Sequence, residues 1–352
     1  METLKKDLIF NFLSEKISSG EYPPGYRFPT ELEFSRQLGV GKVTLRSALA
    51  KLEKLGMVER KVSQGTFIPG YFRPMGKRFA VVYSPKPEIS NPYLYIMPGI
   101  ERRSLKKNVE LVRATYDYAK TPGFFKEAQC SGIIILGSDF TGNEPILTAV
   151  RQSQLPAVIL GRDTDRAATQ MAVIATDTHQ AWLQALNHLK GCHCKRIATI
   201  WLHADTDRSR FKGDYRSYLK ENGFENSADL IFSAKYEDRS IRKTVDEILL
   251  LPQRPDAIIG YSDFFALIIM EQLKECGISI PGDIAVMGCC GYPGSAFLET
   301  PLSTVDFQYE KKGERAIDLL LEANRWFHAN TETPLEYISS KLIERSSTDR
   351  KK

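Results

Sequence analysis

The chain has 352 residues, with 48 Lys and Arg against 43 Asp and Glu, and a net charge of +5. That length allows two or three domains and a sizeable core; six cysteines cannot form a dense disulfide scaffold in so long a chain and read as reduced thiols. The charge is uneven: residues 1–78 hold 14 basic and 8 acidic side chains, residues 79–352 hold 34 and 35, the pattern of a nucleic-acid-binding head on a neutral body.

In chain order, residues 1–20 read as an amphipathic helix, with Leu4, Leu8, Ile9, Phe12, Leu13 and Ile17 apolar and Lys5, Lys6, Asp7 and Glu15 between them. Charges placed this way do not make a secretory signal. The longest apolar run, residues 264–270, is far short of the roughly 20 residues of a membrane span. A cytoplasmic protein with no membrane partner is expected.

Residues 29–55 predict two short helices around a tight turn. Thr30 with Glu33 is a capping box that starts the first. Leu32, Phe34 and Leu38 give that helix an apolar side; Gly39 ends it and Val40 turns inward. The second opens at Gly41 and carries Leu45, Ala48, Leu49, Leu52 and Leu55 on one face, with Lys42, Thr44, Arg46 and Lys51 mainly elsewhere, before Gly56 stops it. A short helix followed by one with cations and hydroxyls at its outer start is a helix-turn-helix. Residues 57–62 and 66–68 then predict two strands turned at Gly65, a wing whose tip offers Arg60, Lys61 and Gln64.

These pieces carry a resemblance. Ser19-Gly20-Glu21-Tyr22-Pro23-Pro24-Gly25, Phe28-Pro29-Thr30-Glu31, Leu38-Gly39-Val40, Val43-Thr44-Leu45-Arg46, Leu55-Gly56-Met57-Val58 and Gln64-Gly65-Thr66-Phe67-Ile68 resemble the winged helix-turn-helix of GntR-family transcription regulators. The match covers residues 4–68 in order. Gly41 departs from the Ser or Thr usual there; glycine caps nearly as well but offers no hydroxyl to a phosphate. The resemblance implies contact with double-stranded operator DNA through Arg27, Thr30, Lys42, Val43, Thr44, Arg46, Lys61, Gln64 and Gly65.

Residues 1–69 thus form the head, and residues 70–78, with Pro, Gly and cations, a linker. From residue 79 short apolar runs (79–83, 109–114, 132–136, 157–160, 171–174, 196–201, 257–260, 285–287) alternate with helical patterns (99–107, 178–189, 208–222, 240–250, 263–276). Repeated β-α-β with near-continuous apolar strands predicts parallel sheets covered by helices. The length calls for two lobes, with a ligand cleft beyond the strands' C-terminal ends. The fold class is α/β: an α+β winged head followed by a two-lobed body with parallel sheets.

The body's spelling is similar to the periplasmic-binding-protein-like effector domain of LacI/GalR-type repressors. The matching stretches include Ser90-Asn91-Pro92-Tyr93, Gly99-Ile100-Glu101, Val173-Ile174-Ala175-Thr176-Asp177, Arg210-Phe211-Lys212-Gly213, Ile280-Pro281-Gly282-Asp283 and Pro301-Leu302-Ser303-Thr304. By that resemblance the body spans residues 79–348, the first lobe about 79–176 plus 303–325, the second about 177–300 plus the C-terminal segment, and 349–352 a tail. Three crossings between lobes are expected: near Thr176 and Asp177, near Thr300 and Pro301, and after residue 325. The implied effector set is Asn91, Tyr93, Arg162, Asp177, Arg210, Ser262, Asp263 and Cys289, with Arg210 as main anchor because a guanidinium forks onto a hydroxyl pair or a carboxylate.

Two departures bear on the ligand. Where the family commonly has an acid pair after Gly288, this chain has Cys289-Cys290; where it often has an acid after Leu160, it has Gly161 followed by Arg162. Fewer acceptors and retained arginine favour an anionic sugar derivative over a neutral sugar. Cys192-His193-Cys194 is too tightly spaced for a closed tetrahedral metal site and reads as a loop. Neither a phosphate-binding glycine loop nor a nucleophile motif is present, so no cofactor and no enzymatic activity are expected. The reading is a ligand-responsive repressor, a homodimer on a palindromic operator, controlled by a sugar or sugar derivative. A regulator without ligand response and a solute-binding protein are the alternatives.

Overall fold

The computed structural model describes residues 2–18, 20–61, 64–70, 77–84, 93–137, 140, 144–162, 164–203, 217, 219–224, 230–327 and 332–350. Two compact units divide the chain: Met1–Phe79 with Leu105–Leu111, and the remainder.

The head is built from α1 (Glu2–Ser18), α2 (Glu31–Gln37), α3 (Lys42–Lys54) and the antiparallel pair β1 (Glu59–Lys61) and β2 (Gly65–Phe67). Leu13 and Ile17 of α1, Phe34 of α2 and Leu45, Leu49 and Leu52 of α3 close over Phe28, Met57, Val58 and Ile68. Thr30 and Glu33 form the predicted capping box, the Glu33 N–H donating to Thr30 Oγ1 and the Thr30 N–H to Glu33 Oε2. Gly39 takes φ +64°, and Val40 packs on the core. Leu32 and Leu55 differ from expectation: they are 42% and 62% exposed, outside the apolar face.

The first lobe's sheet runs β13-β7-β6-β5-β3-β4. Its strands are β3 (Arg78–Tyr83), β4 (Glu110–Thr115), β5 (Gly132–Leu136), β6 (Ala157–Gly161), β7 (Ala172–Thr176) and β13 (Leu335–Ile338). Around it lie α4 (Tyr93–Lys107), α5 (Tyr116–Ala119), α6 (Phe124–Glu127), α7 (Glu144–Ser153) and α8 (Thr164–Thr169). Strands β5, β6, β7 and β13 run parallel. Strand β5, Gly-Ile-Ile-Ile-Leu, is buried at every residue, as its unbroken apolar run requires.

The second sheet runs β14-β12-β11-β10-β8-β9. It uses β8 (Ile197–Leu202), β9 (Ile231–Ala234), β10 (Ala257–Gly260), β11 (Ala285–Cys290), β12 (Ser303–Asp306) and β14 (Lys341–Ile343), with α9 (Thr178–Gly191), α10 (Asp238–Leu249) and α11 (Asp263–Glu275) packed on it. All pairings are parallel except β12 with β14. Trp182 of α9 stacks on Trp201 of β8 at 4.4 Å. The predicted helix at 208–222 lies largely outside the described residues.

The lobe boundaries need two corrections. Residues 335–338, beyond the expected end of the first lobe at 325, pair with β7 and belong to the first sheet. Residues 303–306 pair with β11 and belong to the second sheet, not the first. The second crossing therefore falls at Phe307 and Gln308, after which α12 (Tyr309–Leu321) packs on β5, β6 and β7 of the first lobe. The first crossing lies between β7 and α9, and the third between β13 and β14. Gln308 Nε2 donates to the Ser339 carbonyl at 2.8 Å, tying the second crossing to the third. Gly99 of α4 and Gly313 of α12 let these helices touch: a Cβ on Gly99 would lie 1.9 Å from the Glu310 carbonyl oxygen, and one on Gly313 2.5 Å from that of Ile96.

Candidate functional site: a winged-helix face and an aromatic cleft end

On the head, α3 presents Lys42, Val43 (69% exposed) and Arg46 to solvent. The Arg46 guanidinium donates from Nε and Nη2 to Glu31 Oε2 at 3.0 and 2.7 Å, which holds the Glu31 carboxyl below its ordinary pKa. Glu31, at the start of α2, thus fixes the arginine fork at the start of α3. Lys61 and Gln64 are exposed on the wing, where Gly65 takes φ +106°. Arg27, also exposed, lies over the Phe67 ring at 5.6 Å, and Arg27 bridges to Phe67 through the backbone.

Two expected DNA contacts are otherwise engaged. Thr44 is buried, because helix phase puts 44 with 45, 48, 49 and 52 on the inner face. The Thr30 hydroxyl is spent on the capping box, accepting from the Glu33 N–H and donating to Glu33 Oε2 at 2.8 Å.

In the body, the C-terminal ends of β10, β11 and β12 gather a polar and aromatic cluster. Asp263, wholly buried at the start of α11, accepts from Thr304 Oγ1 at 2.5 Å, the Tyr292 N–H at 2.6 Å and Ser295 Oγ at 2.8 Å. Burial pushes its carboxyl up to about 6, against those three donors. Asp263 is therefore a tie that joins the start of α11 to β12 and to the single stretch after β11 that holds Tyr292 and Ser295. Its neighbour Ser262 is 2% exposed, and its hydroxyl has no hydrogen-bond partner among the described residues.

Cys289 requires a further correction. It is fully buried in the second-lobe core, and burial pushes its thiol well up. Side chains alternate along a strand, so Cys290 rather than Cys289 faces the opposite side, where it shares a hydrogen bond with Tyr309. Cys290 takes φ +102° and Gly291 φ +75°. A left-handed non-glycine residue is strained, and such strain collects at functional sites.

Around Cys290 the two lobes meet through rings. Tyr95 of α4 stacks on Tyr292 at 4.7 Å and lies 6.2 Å from Tyr309 of α12. Lys312, one turn along α12, is 5% exposed, with its ammonium 4.9 Å from the Tyr309 ring and 5.9 Å from that of Phe307. Burial lowers its pKa to about 8. Sequence reasoning missed Tyr95, Tyr292, Tyr309, Cys290 and Lys312. The available signal was a lysine at an inward position of α12, in phase with Tyr309, Gly313, Ala316 and Leu320.

The remaining expected effector residues are scattered. Asn91 and Arg210 lie outside the described residues, and Tyr93 opens α4 with its side chain outside them. Asp177 caps α9, accepting from the Gln180 N–H at 2.9 Å, at the first crossing. The Arg162 N–H donates to Asp165 Oδ2 at 2.7 Å. Of Cys192-His193-Cys194, Cys192 lies beside His188, His193 is exposed with φ +61°, and Cys194 is buried in the core, three different surroundings. Among the described residues no helix is long and apolar enough to cross a membrane.

A winged helix-turn-helix joined to a two-lobed α/β body defines a class, the transcription regulators that carry an effector-binding domain. Comparison with known proteins agrees. Residues 6–68 match the family of bacterial regulatory proteins, gntR family, and residues 186–348 match the periplasmic binding protein-like domain. The chain is 26% identical over 240 residues to the HTH-type transcriptional repressor PurR of Aliivibrio salmonicida, covering 66% of this chain and 71% of that one. It is 24% identical over 326 residues to the arabinose metabolism transcriptional repressor of Geobacillus stearothermophilus, covering 87% of each. In fold it is similar to the transcriptional regulator CelR in complex with cellobiose, with a TM-score of 0.63 at 21% identity over 91% of this chain and all of that one. The head thus matches the gntR family of bacterial regulatory proteins, the body matches the periplasmic binding protein-like domain, and the similar full-length proteins are transcriptional repressors.

Proposed function

We propose that the protein is a cytoplasmic repressor that binds a palindromic operator as a homodimer and is controlled by a sugar or sugar derivative held between its lobes. Its work is binding and not catalysis. The observation that carries the reading is one chain holding both a winged-helix face, bearing Lys42, Arg46, Lys61 and Gln64, and a two-lobed body whose lobes meet at the rings of Tyr95, Tyr292 and Tyr309. Tyrosine rings stack on the apolar faces of a sugar while their hydroxyls meet its polar edge. Support for a sugar also comes from the relatives: one represses arabinose metabolism, and one neighbour in fold holds cellobiose.

Two lobes joined by three crossings allow more than one arrangement, and a ligand that favours one arrangement shifts the DNA-binding population. A symmetric dimer matches an operator with two half-sites. Arg46, already forked by Glu31, is the foremost base-reading side chain, and Lys61 and Gln64 are groove or phosphate contacts.

The test is selection of the full-length chain on a random double-stranded DNA pool, followed by affinity measurement on the winner. An inverted repeat is expected, and Arg46→Ala is expected to weaken binding about 5- to 150-fold, the 1–3 kcal/mol of a bidentate guanine contact. A folded Arg46→Ala protein with unchanged affinity would remove Arg46 from the interface. No enrichment of any sequence would remove the repressor reading.

A further inference from the structure

We infer that the effector carries an anionic group, a carboxylate or a phosphate ester, and that the Lys312 ammonium at the cleft end is its counter-ion. This rests on the reading of the cleft as a sugar site and narrows the class of sugar.

Lys312 is the one buried lysine or arginine among the described residues. Partly buried arginines of the body have acids in contact: Arg315 has Glu336 at 2.6 Å and Glu322 at 3.0 Å, and Arg103 has Asp318 at 2.8 Å. Lys312 has aromatic faces instead, and among the described residues no carboxylate lies within 4.0 Å of its ammonium. The two nearby acids are engaged elsewhere. Asp306 accepts from the Gln308 N–H at 2.7 Å, and Asp263 accepts three donors.

Burying a cation without an acid is costly, so such a charge marks a site where the compensating anion arrives from outside. The place fits. Lys312 projects from α12 just after the second crossing, beside Cys290 at the C-terminal end of β11, where a doubly wound sheet receives its ligand. Cys290 contributes a thiol that burial pushes up to about 12, so it stays uncharged and does not repel an anion as a carboxylate there would. Tyr95 and Tyr309, each only partly buried, supply the sugar-facing surface, and the anionic substituent reaches Lys312.

The experiment is calorimetry on the full-length protein with a panel of pentoses and hexoses. Each is offered as the neutral sugar, the aldonic or uronic acid, and the terminal phosphate. One charged form is expected to bind at least ten times more tightly than its neutral parent, the acid and phosphate arms telling which anion is preferred. Lys312→Met is expected to abolish that preference, the charged and neutral forms then binding within about threefold of one another, and Lys312→Gln serves as a second variant should the first misfold. A neutral sugar bound as tightly as its charged forms, with Lys312→Met indifferent, would overturn the anionic assignment and leave the sugar-sensing reading standing. If no member of the panel binds, both fall.

Discussion

Lys312 places a charge where the fold alone would place leucine. Its buried neighbours on α12 include Gly313, Ala316 and Leu320, the groups that electrostatically face it are Cys290 and Asp306, and the Tyr309 ring lies 4.9 Å from its ammonium. Burial pulls its pKa from 10.5 to about 8. Between those values the unfolded chain holds the proton that the folded chain has released, so stability rises with pH through that window. The cost is fully present below pH 8, on the order of 3 kcal/mol at most. Lys312→Met is therefore expected to stabilise the ligand-free protein by about 1–3 kcal/mol at pH 7, and to flatten the rise above pH 8. A melting series across pH 6–10.5 checks it; a variant less stable than the parent at pH 7 would show that the charge is already compensated.

The other residue-scale lessons concern phase. Cys289 reads as the natural substitute for a family acid, but strand alternation buries it and turns Cys290 toward Tyr309. Asp263 looks like a free acceptor in sequence; only the fold brings Tyr292, Ser295 and Thr304 around it. Contacts 29 to 41 residues apart in the chain leave no local signal.

At the scale of elements, local patterns were faithful. The capping box, the turn at Gly39 and the apolar strands were legible because each is written within a few residues. The lobe assignment of residues 303–306 was not, because strand partners are chosen by distant chain: β12 pairs with β11 and β14. The α4–α12 contact is likewise long-range, and it brings Tyr95 beside Tyr309. Gly99 and Gly313 permit that approach. Gly99→Ala or Gly313→Ala is expected to push the helices apart at a cost of about 1–3 kcal/mol or more, and to weaken ligand binding by displacing Tyr95. Gly191→Ala, where an added Cβ meets nothing within 4 Å, is the matched control and should stay within about 0.5 kcal/mol. Thermal melts of the three variants decide it, an unperturbed Gly99→Ala protein being the contrary result.

At the scale of the whole molecule, the basic excess of residues 1–78 and the near-neutral remainder separate DNA attraction from ligand sensing. Regulation needs the two to be coupled, and coupling is reciprocal: a ligand that lowers operator affinity must be bound less tightly by the DNA-bound protein. The most direct measurement is operator affinity of the full-length chain by fluorescence anisotropy, with and without saturating ligand from the calorimetric panel. A change of about 5- to 150-fold is expected, the usual coupling of 1–3 kcal/mol, with release as the expected direction. An operator affinity that stays the same while ligand occupies the cleft would contradict the claim that this chain is a ligand-responsive regulator.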